Sequence, residues 1–480
     1  MLWPSISEFS PPGVMTSQQT EIALPRRTFL ASLPVGVGLA GFAMAEQQAS
    51  STLAPRFPHF KPKAKRFVHL FMNGGPSQVD TFDPKPTLDK LHGKQPPGSL
   101  RTERKTAGIM RSPFTFKRYG SSGLEVSELF KLTATMHADK LCVVRSMVAE
   151  VPNHEPSLML MNTGDGRLPR PCMGSWLVHG LGSEARNLPA FVVLCPSGLP
   201  VVGVQNWRSA FLPGSTQGVH LDTAQADPAK LLENLRHPTL GHDALKKQYD
   251  LLATLNQSHQ VQNNSMSAAT AAMEARAKSF DMAYRMQSQA LQTLDLKDEP
   301  ESVKKKYGTT THGRQLMLTR RLLEQGVRVV QVWSGGGQPW DNHDGLEGQH
   351  RSLAQAWDQP IAAFLDDLQQ RGLLDHTLVL WSGEFGRTPV AELPALSGRD
   401  HNHYGFSIWM AGGGVRGGYA HGATDEFGFR AVEKPVAVHD LHATMLHLLG
   451  FNHEKLTFRH AGRDFRLTDV HGEVVRELLA

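Results

Sequence analysis

Val327-Arg328-Val329-Val330-Gln331-Val332-Trp333 and Thr377-Leu378-Val379-Leu380-Trp381 are two short apolar runs, each opening into a loop crowded with carboxylates and imidazoles. The first loop reads Gly335-Gly336-Gly337-Gln338-Pro339-Trp340-Asp341-Asn342-His343-Asp344. The second reads Ser382-Gly383-Glu384-Phe385-Gly386-Arg387-Thr388-Pro389, followed by Gly398-Arg399-Asp400-His401-Asn402-His403. A helical pattern from Leu353 to Gln370 separates the two runs, and this strand, helix, strand order predicts a parallel crossover unit. Loops leaving the carboxyl ends of neighbouring parallel strands converge on one crevice, so polar groups about sixty positions apart can meet there.

The rest of the chain extends this plan. Arg66-Phe67-Val68-His69-Leu70-Phe71-Met72 predicts a buried first strand that breaks at Asn73-Gly74-Gly75-Pro76-Ser77, with Asp80 and Asp83 close behind. A helix from Glu128 to Ala138 leads to a second strand, Lys140 to Met147, and then to Asn153-His154-Glu155-Pro156-Ser157. Proline is tolerated in the first turn of a helix, so Pro156 marks a helix start whose positive dipole end suits a nucleophile or an anion. Further strands are expected at Leu188 to Leu194 and Phe406 to Ala411, and helices at His312 to Gln325 and from Val438 to a C-cap at Gly450. Residues 85–125, rich in Pro, Gly, Lys and Arg, read as an irregular surface excursion. Stripes such as Leu245, Tyr249, Leu252 and Leu255 predict a helical insertion over about 240–300 that packs as core.

With 480 residues and 40% hydrophobic positions, the chain can build a large α/β domain. Its formal net charge of +5 is scattered apart from Lys61-Pro62-Lys63-Ala64-Lys65-Arg66, which argues against a nucleic-acid partner. Cys142, Cys172 and Cys195 show no CxxC spacing and read as buried thiols, with a single disulfide as the alternative. Leu24-Pro25-Arg26-Arg27-Thr28-Phe29-Leu30, then an apolar stretch to Phe42 and Ala43-Met44-Ala45, has the pattern of a twin-arginine signal peptide over residues 1–45. The expected organisation is that leader, a polar linker over 46–65 and a domain over 66–480. The mature chain has no apolar segment long enough to span a bilayer, and the protein is expected to be periplasmic or secreted.

Carboxylates and imidazoles at strand ends suit a borderline or hard divalent cation, and no thiolate lies near them in sequence. Arg387 could hold an anionic oxygen bidentately or pair with a buried carboxylate.

Asn73-Gly74-Gly75-Pro76-Ser77 through Asp83-Pro84-Lys85-Pro86, Trp340-Asp341-Asn342-His343, Gly383-Glu384-Phe385-Gly386-Arg387-Thr388-Pro389, Gly398-Arg399-Asp400-His401-Asn402 and Asp440-Leu441-His442-Ala443-Thr444 closely resemble the secreted bacterial family called domain of unknown function 1501. That family is similar to the alkaline phosphatase and sulfatase superfamily. The resemblance implies a doubly wound, mostly parallel α/β sheet of that type carrying a helical insertion, and a centre of one or two divalent ions (Zn, Mn or Ca). By position, Asp341, His343, Glu384 and His401 resemble metal ligands, and Asp400 orients one of them. The segment from His154 to Thr163-Gly164 resembles the nucleophile segment of sulfatases. Three departures stand out. His154 occupies the nucleophile position, Asn73 or Gly74 replaces a first-strand acidic ligand unless Asp80 substitutes, and Phe385 stands where a His ligand would follow.

The implied function is an exported, metal-dependent hydrolase of phosphate or sulfate esters, on a small-molecule or glycan substrate. His154, as phosphoryl acceptor or general acid/base, and Arg387 would face the ester. The alternative is a non-catalytic envelope or glycan-binding protein on a sulfatase-like scaffold.

Overall fold

The computed structural model describes residues 54–480, apart from 97, 99, 186, 232–240, 242–243, 245, 249, 252–253 and 256–289. The expected signal peptide, most of the linker's first half and most of the helical insertion lie outside the described residues.

The decisive apolar runs become central strands. Arg66–Phe71 pairs in parallel with Val329–Trp333 on one side and Thr377–Ser382 on the other, with Leu70 opposite both Val332 and Trp381. Strands buried on both faces need apolar residues at every position, and these runs have them. Across the nine-stranded sheet the order is Tyr419–His421, Leu141–Val148, Phe406–Ala411, Thr377–Ser382, Arg66–Phe71, Val329–Trp333, Phe191–Cys195 and Val219–Asp222, with Val436–Ala437 also on Leu141–Val148. All pairings are parallel except those of Phe406–Ala411, which runs against both neighbours. The fold is α/β with a large, mostly parallel sheet.

Alternate residues of Arg66–Phe71 feed two cores, because side chains on a strand alternate between faces. Val68 and Leu70 join the layer built with Leu316, Leu322, Trp357, Ile361 and Phe364 from the helices Thr311–Glu324 and Leu346–Gln370. Phe67 and Phe71 join the opposite layer, with Leu158, Met161, Trp176, Leu441 and Met445 from His154–Thr163, Met173–Leu181 and Val438–Leu448. Helices therefore cover both faces, as a doubly wound sheet requires. Cys142, Cys172 and Cys195 are buried free thiols.

Two expectations change. Residues 85–125 are not irregular: Pro86–Lys90 is a helix, and Thr106–Ile109, Phe116–Tyr119 and Leu124–Ser127 are strands. Burial along them does not alternate, so no sustained period-two apolar pattern marked them as strands. The stretch after Thr377–Ser382 is likewise a ribbon, in which Gly386–Glu392 runs antiparallel to Arg399–Asn402 and to Thr106–Ile109. The last helix ends at Leu448 with Leu449 as C-cap, and Gly450 follows at φ +86°.

Backbone meets backbone where this ribbon joins the strand ends. Gly74 has φ +110°, and a Cβ there would lie 2.5 Å from the Asp341 amide nitrogen. A Cβ on Gly398 would fall 1.9 Å from the His343 carbonyl oxygen. Only glycine permits these approaches.

Among the described residues three histidines lie wholly inside the folded chain: His69 in the first strand, His350 in Leu346–Gln370 and His442 in Val438–Leu448. His69 Nε2 meets Ser382 Oγ at 2.8 Å, His350 Nε2 accepts from the Ser77 amide at 3.2 Å, and His442 Nε2 meets the Met161 carbonyl at 2.9 Å. Burial lowers the pKa of each to about 3, with His442 adding to the effect at His69 and His439 at His442. The unfolded chain binds these protons near pH 6.5 and the folded chain does not, so stability is full above that pH and falls as pH drops toward 3. Three such groups predict a loss of about 4 kcal/mol per pH unit below pH 6, read by urea unfolding at pH 7, 6 and 5. His69→Gln should reduce the measured slope by about 1.4 kcal/mol per pH unit.

A three-imidazole candidate metal centre

Asp341 follows the carboxyl end of Val329–Trp333, and the neighbouring strand end fixes its loop. The Trp340 amide donates to the Asn73 carbonyl at 3.1 Å, and Asn73 Nδ2 donates to the carbonyls of Gly335 (2.9 Å) and Gly337 (2.7 Å). Trp340 is fully buried and its Nε1 donates to Ser334 Oγ at 3.1 Å. Arg387, also fully buried, donates to Asp341 Oδ1 at 2.6 Å and to the carbonyls of Gly74, Gly75 and Arg399. One guanidinium thus ties the first strand end, the Asp341 loop and the ribbon together.

Three imidazoles surround the same carboxylate oxygen. Asp341 Oδ1 lies 2.9 Å from His343 Nε2, 3.2 Å from His401 Nε2 and 3.3 Å from His154 Nε2. The Nε2 atoms of His343 and His401 are 3.1 Å apart. Each ring has a carboxylate at its other nitrogen: Glu384 on His154 Nδ1 at 2.7 Å, Glu392 on His343 Nδ1 at 2.6 Å and Glu103 on His401 Nδ1 at 2.8 Å. Glu384 is fully buried and is itself held by the Gly74 amide at 2.9 Å.

Those carboxylates decide the tautomers. A carboxylate accepts, so each Nδ1 carries a proton, and any of these rings turns an Nε2 lone pair inward when it is neutral. Lone pairs from His343 and His401 then face each other and an anionic oxygen at about 3 Å, an arrangement that calls for a shared positive charge. His154 Nε2 is buried and makes no hydrogen bond despite its proximity to Asp341. Donors around a tetrahedral ion with bonds of about 2.0–2.1 Å lie about 3.3 Å apart, close to the separations seen here. The residues present therefore fit a divalent cation of the kind that takes nitrogen and oxygen ligands.

Without an ion, a proton takes its place at His154. Burial raises the pKa of Asp341, but the three imidazoles and Arg387 outweigh it and hold the carboxyl far below the carboxylate range. Burial disfavours a charged His154, yet attraction to Asp341 and Glu384 pushes its pKa up to about 9. Burial, Arg387 and His154 lower the pKa of His401 against the pull of Asp341.

Asp341, His343 and His401 are brought together, and His154 joins them. Glu384 touches His154 rather than the cluster's inner face. Asp400 is buried beside His401, with its oxygens accepting the amides of His401 and Arg104, both at 2.8 Å. Asp80 stands apart: Arg399 Nε meets its Oδ2 at 2.7 Å and Nη2 its Oδ1 at 3.2 Å, and Ser77 Oγ donates to it at 2.5 Å. Its oxygens are committed to that buried pair, so it does not replace the missing first-strand acid. Arg387 likewise pairs with a carboxylate, Asp341, the alternative that its sequence context left open. Glu103, Glu392 and Arg104 were missed, since single charged residues in polar stretches carry no local pattern. Phe385 lies between two of the imidazoles, its ring centroid 4.8 Å from His154 and 4.7 Å from His401.

Fold and site together define an α/β protein with a histidine and carboxylate cluster at the carboxyl ends of its parallel strands. The chain belongs to the family described as "Protein of unknown function (DUF1501)", whose model matches residues 64–479. No curated protein matches it. Among solved structures it is similar to the PsFucS1 sulfatase from Pseudoalteromonas sp., at 11% identity and a TM-score of 0.32 over 90% of this chain and 73% of that one. It is also similar to the alkaline phosphatase from the Antarctic bacterium TAB5, at 10% identity and a TM-score of 0.31 over 82% of this chain and 99% of that one.

The Asp80–Arg399 pair anchors the strand that presents His401. Burial opposes ionisation of Asp80, but Arg399 and Ser77 hold its pKa below the usual value. Asp80→Ala leaves the Arg399 charge buried without its partner, and should lower the unfolding free energy by about 3–5 kcal/mol in urea titration at pH 7.

Proposed function

We propose that the protein is an exported, metal-dependent hydrolase of phosphate or sulfate esters, with the ion held by His154, His343, His401 and Asp341. The observation that carries this reading is the inward convergence of three Nε2 atoms on the Asp341 carboxylate, each ring fixed from behind by a glutamate. Zn2+ suits such a nitrogen-rich set best, with Mn2+ next and Ca2+ least. When bound, the ion supplies Lewis acidity toward an ester oxygen and toward water.

The protein's own groups do the rest. Glu384, Glu392 and Glu103 keep the proton on each Nδ1 and so keep each Nε2 free to bind. Arg387 aims Asp341. His154 opens the helix His154–Thr163, whose positive end lies against the cluster and favours an anionic ester. The ester class itself rests on the motif resemblance, and export on the paired Arg26 and Arg27 of the amino terminus.

The second reading is an ion-holding protein that binds an envelope glycan without turning it over. It is supported by the hydroxyls of the adjoining segments, which are committed elsewhere: Ser157 Oγ donates to the Val151 carbonyl at 2.6 Å, Ser77 Oγ to Asp80, and Thr388 Oγ1 to the Val390 carbonyl at 2.8 Å. A covalent serine or threonine route has no support. Water is the nucleophile in the hydrolase reading.

Elemental analysis of the full chain purified without chelators, paired with assays on aryl phosphates and aryl sulfates, tests both readings. The expected result is near-stoichiometric metal, turnover that EDTA abolishes, and loss of both in Asp341→Ala. Glu384→Gln should bind the metal about 10–100-fold more weakly. Metal without turnover on any ester would leave the binding reading, and absence of metal after loading with Zn2+, Mn2+ or Ca2+ would end both.

A further inference from the structure

One exposed stretch, Leu100–Lys105, shapes the outer side of the centre. Leu100 packs on the small apolar cluster of Val79, Leu88, Ile109 and Val390, and the Lys105 carbonyl accepts the Leu393 amide at 2.9 Å. Between these anchors, Glu103 Oε2 meets His401 Nδ1 at 2.8 Å. The Arg104 amide donates to Asp400 Oδ2 at 2.8 Å, and Arg104 Nη1 donates to Glu392 Oε1 at 2.8 Å. The other oxygen of Glu392 holds His343 Nδ1. Thr102 Oγ1 donates to the Arg104 carbonyl at 2.9 Å and closes the turn.

The three imidazoles are therefore supported unequally. His154 leans on Glu384, which has no exposed side-chain surface. His401 leans on Glu103 and His343 on a glutamate gripped by Arg104, and these two strap side chains are 30% and 53% exposed. The stretch touches the body of the protein mainly through polar contacts to the ligand-bearing groups. Segments with few buried apolar contacts open at low free-energy cost.

Resting on the reading of the centre as an ion site, we propose that Leu100–Lys105 is a strap whose closure is linked to ion binding, with Glu103 and Arg104 as positioning residues that aim His401 and His343. Glu103 fixes the ring of His401 only while the strap is shut, and Arg104 steadies Glu392 under the same condition. An ion that draws on both Nε2 atoms consequently favours the closed strap. Linkage is reciprocal, so the factor by which closure tightens the ion is the factor by which the ion tightens closure. A carboxylate behind a ligating imidazole is worth about 10–100-fold in metal affinity, which sets the size of the effect.

Trypsin reads the strap directly, because it cuts after Arg101, Arg104 and Lys105. The full chain is digested with and without the tightest binding of Zn2+, Mn2+ and Ca2+, the strap cuts are timed by mass spectrometry, and ion affinity is measured by calorimetry on wild type, Glu103→Gln and Arg104→Ala. The ion should slow strap cleavage at least about tenfold in wild type and far less in Glu103→Gln, which should also bind the ion about 10–100-fold more weakly. Thermal unfolding of the ion-free variants should match wild type, which separates positioning from a loss of fold. Equal ion affinity in all three proteins, or strap cleavage indifferent to a bound ion, overturns the strap while leaving the ion site intact. A wild-type chain that binds no ion overturns the ion site and the strap with it.

Discussion

Everything at the carboxyl edge of the sheet turns on one carboxylate. Asp341 Oδ1 is shared among a guanidinium and three imidazoles that arrive on four separate stretches of chain. A half-buried carboxylate with this many partners is held in one orientation, and it holds its partners in return. The sheet order makes the meeting possible, because Arg66–Phe71 lies between Val329–Trp333 and Thr377–Ser382 and its following loop ties both exits together. Remove the central strand's turn at Asn73 and Gly74, and neither Asp341 nor Glu384 keeps its support.

The site is built in two shells of alternating charge. Arg387 and the imidazoles surround Asp341, and Glu103, Glu384 and Glu392 stand behind the imidazoles. Such an array would be costly if any ring lost its carboxylate, since a buried imidazole with two unsatisfied nitrogens pays desolvation without return. Elsewhere the chain handles buried imidazoles differently. His69, His350 and His442 lean on a hydroxyl, an amide and a carbonyl, neutral partners that keep the ring uncharged. Two chemistries of buried histidine thus coexist, one beside carboxylates and one among neutral groups.

The strands were legible because doubly buried strands leave continuous apolar runs, and Phe406–Ala411 matches the expected span residue for residue. So was the crossover helix, although it begins at Leu346, earlier than its apolar pattern suggests, because the residues between Leu346 and Leu353 are mostly polar. The ribbon Gly386–Glu392 was not legible. Glycine, proline and arginine read as a loop, and pairing with Arg399–Asn402 and with distant Thr106–Ile109 makes it a strand. Asp341, His343 and His401 could be named from their clustering at strand ends. The partners Glu103 and Glu392 could not, since a lone glutamate gives no sign of which imidazole it will reach, whether 298 positions away, as for Glu103, or 49, as for Glu392. Asp80 and Arg387 left two roles open for a related reason: a charged residue looks the same in sequence whether it faces a ligand or another buried charge.

Gly74 and Gly398 bring main chain against main chain at the loop that carries Asp341 and His343. Contacts of that kind leave no side chain to absorb a mismatch, so the turn after the first strand, the stretch from Gly335 to Asp344 and the ribbon through His403 must be inherited as a matched set. A chimera assembled from two relatives would tolerate a seam in the helical layers far better than one drawn within Gly335–Asp344 or Gly386–His403.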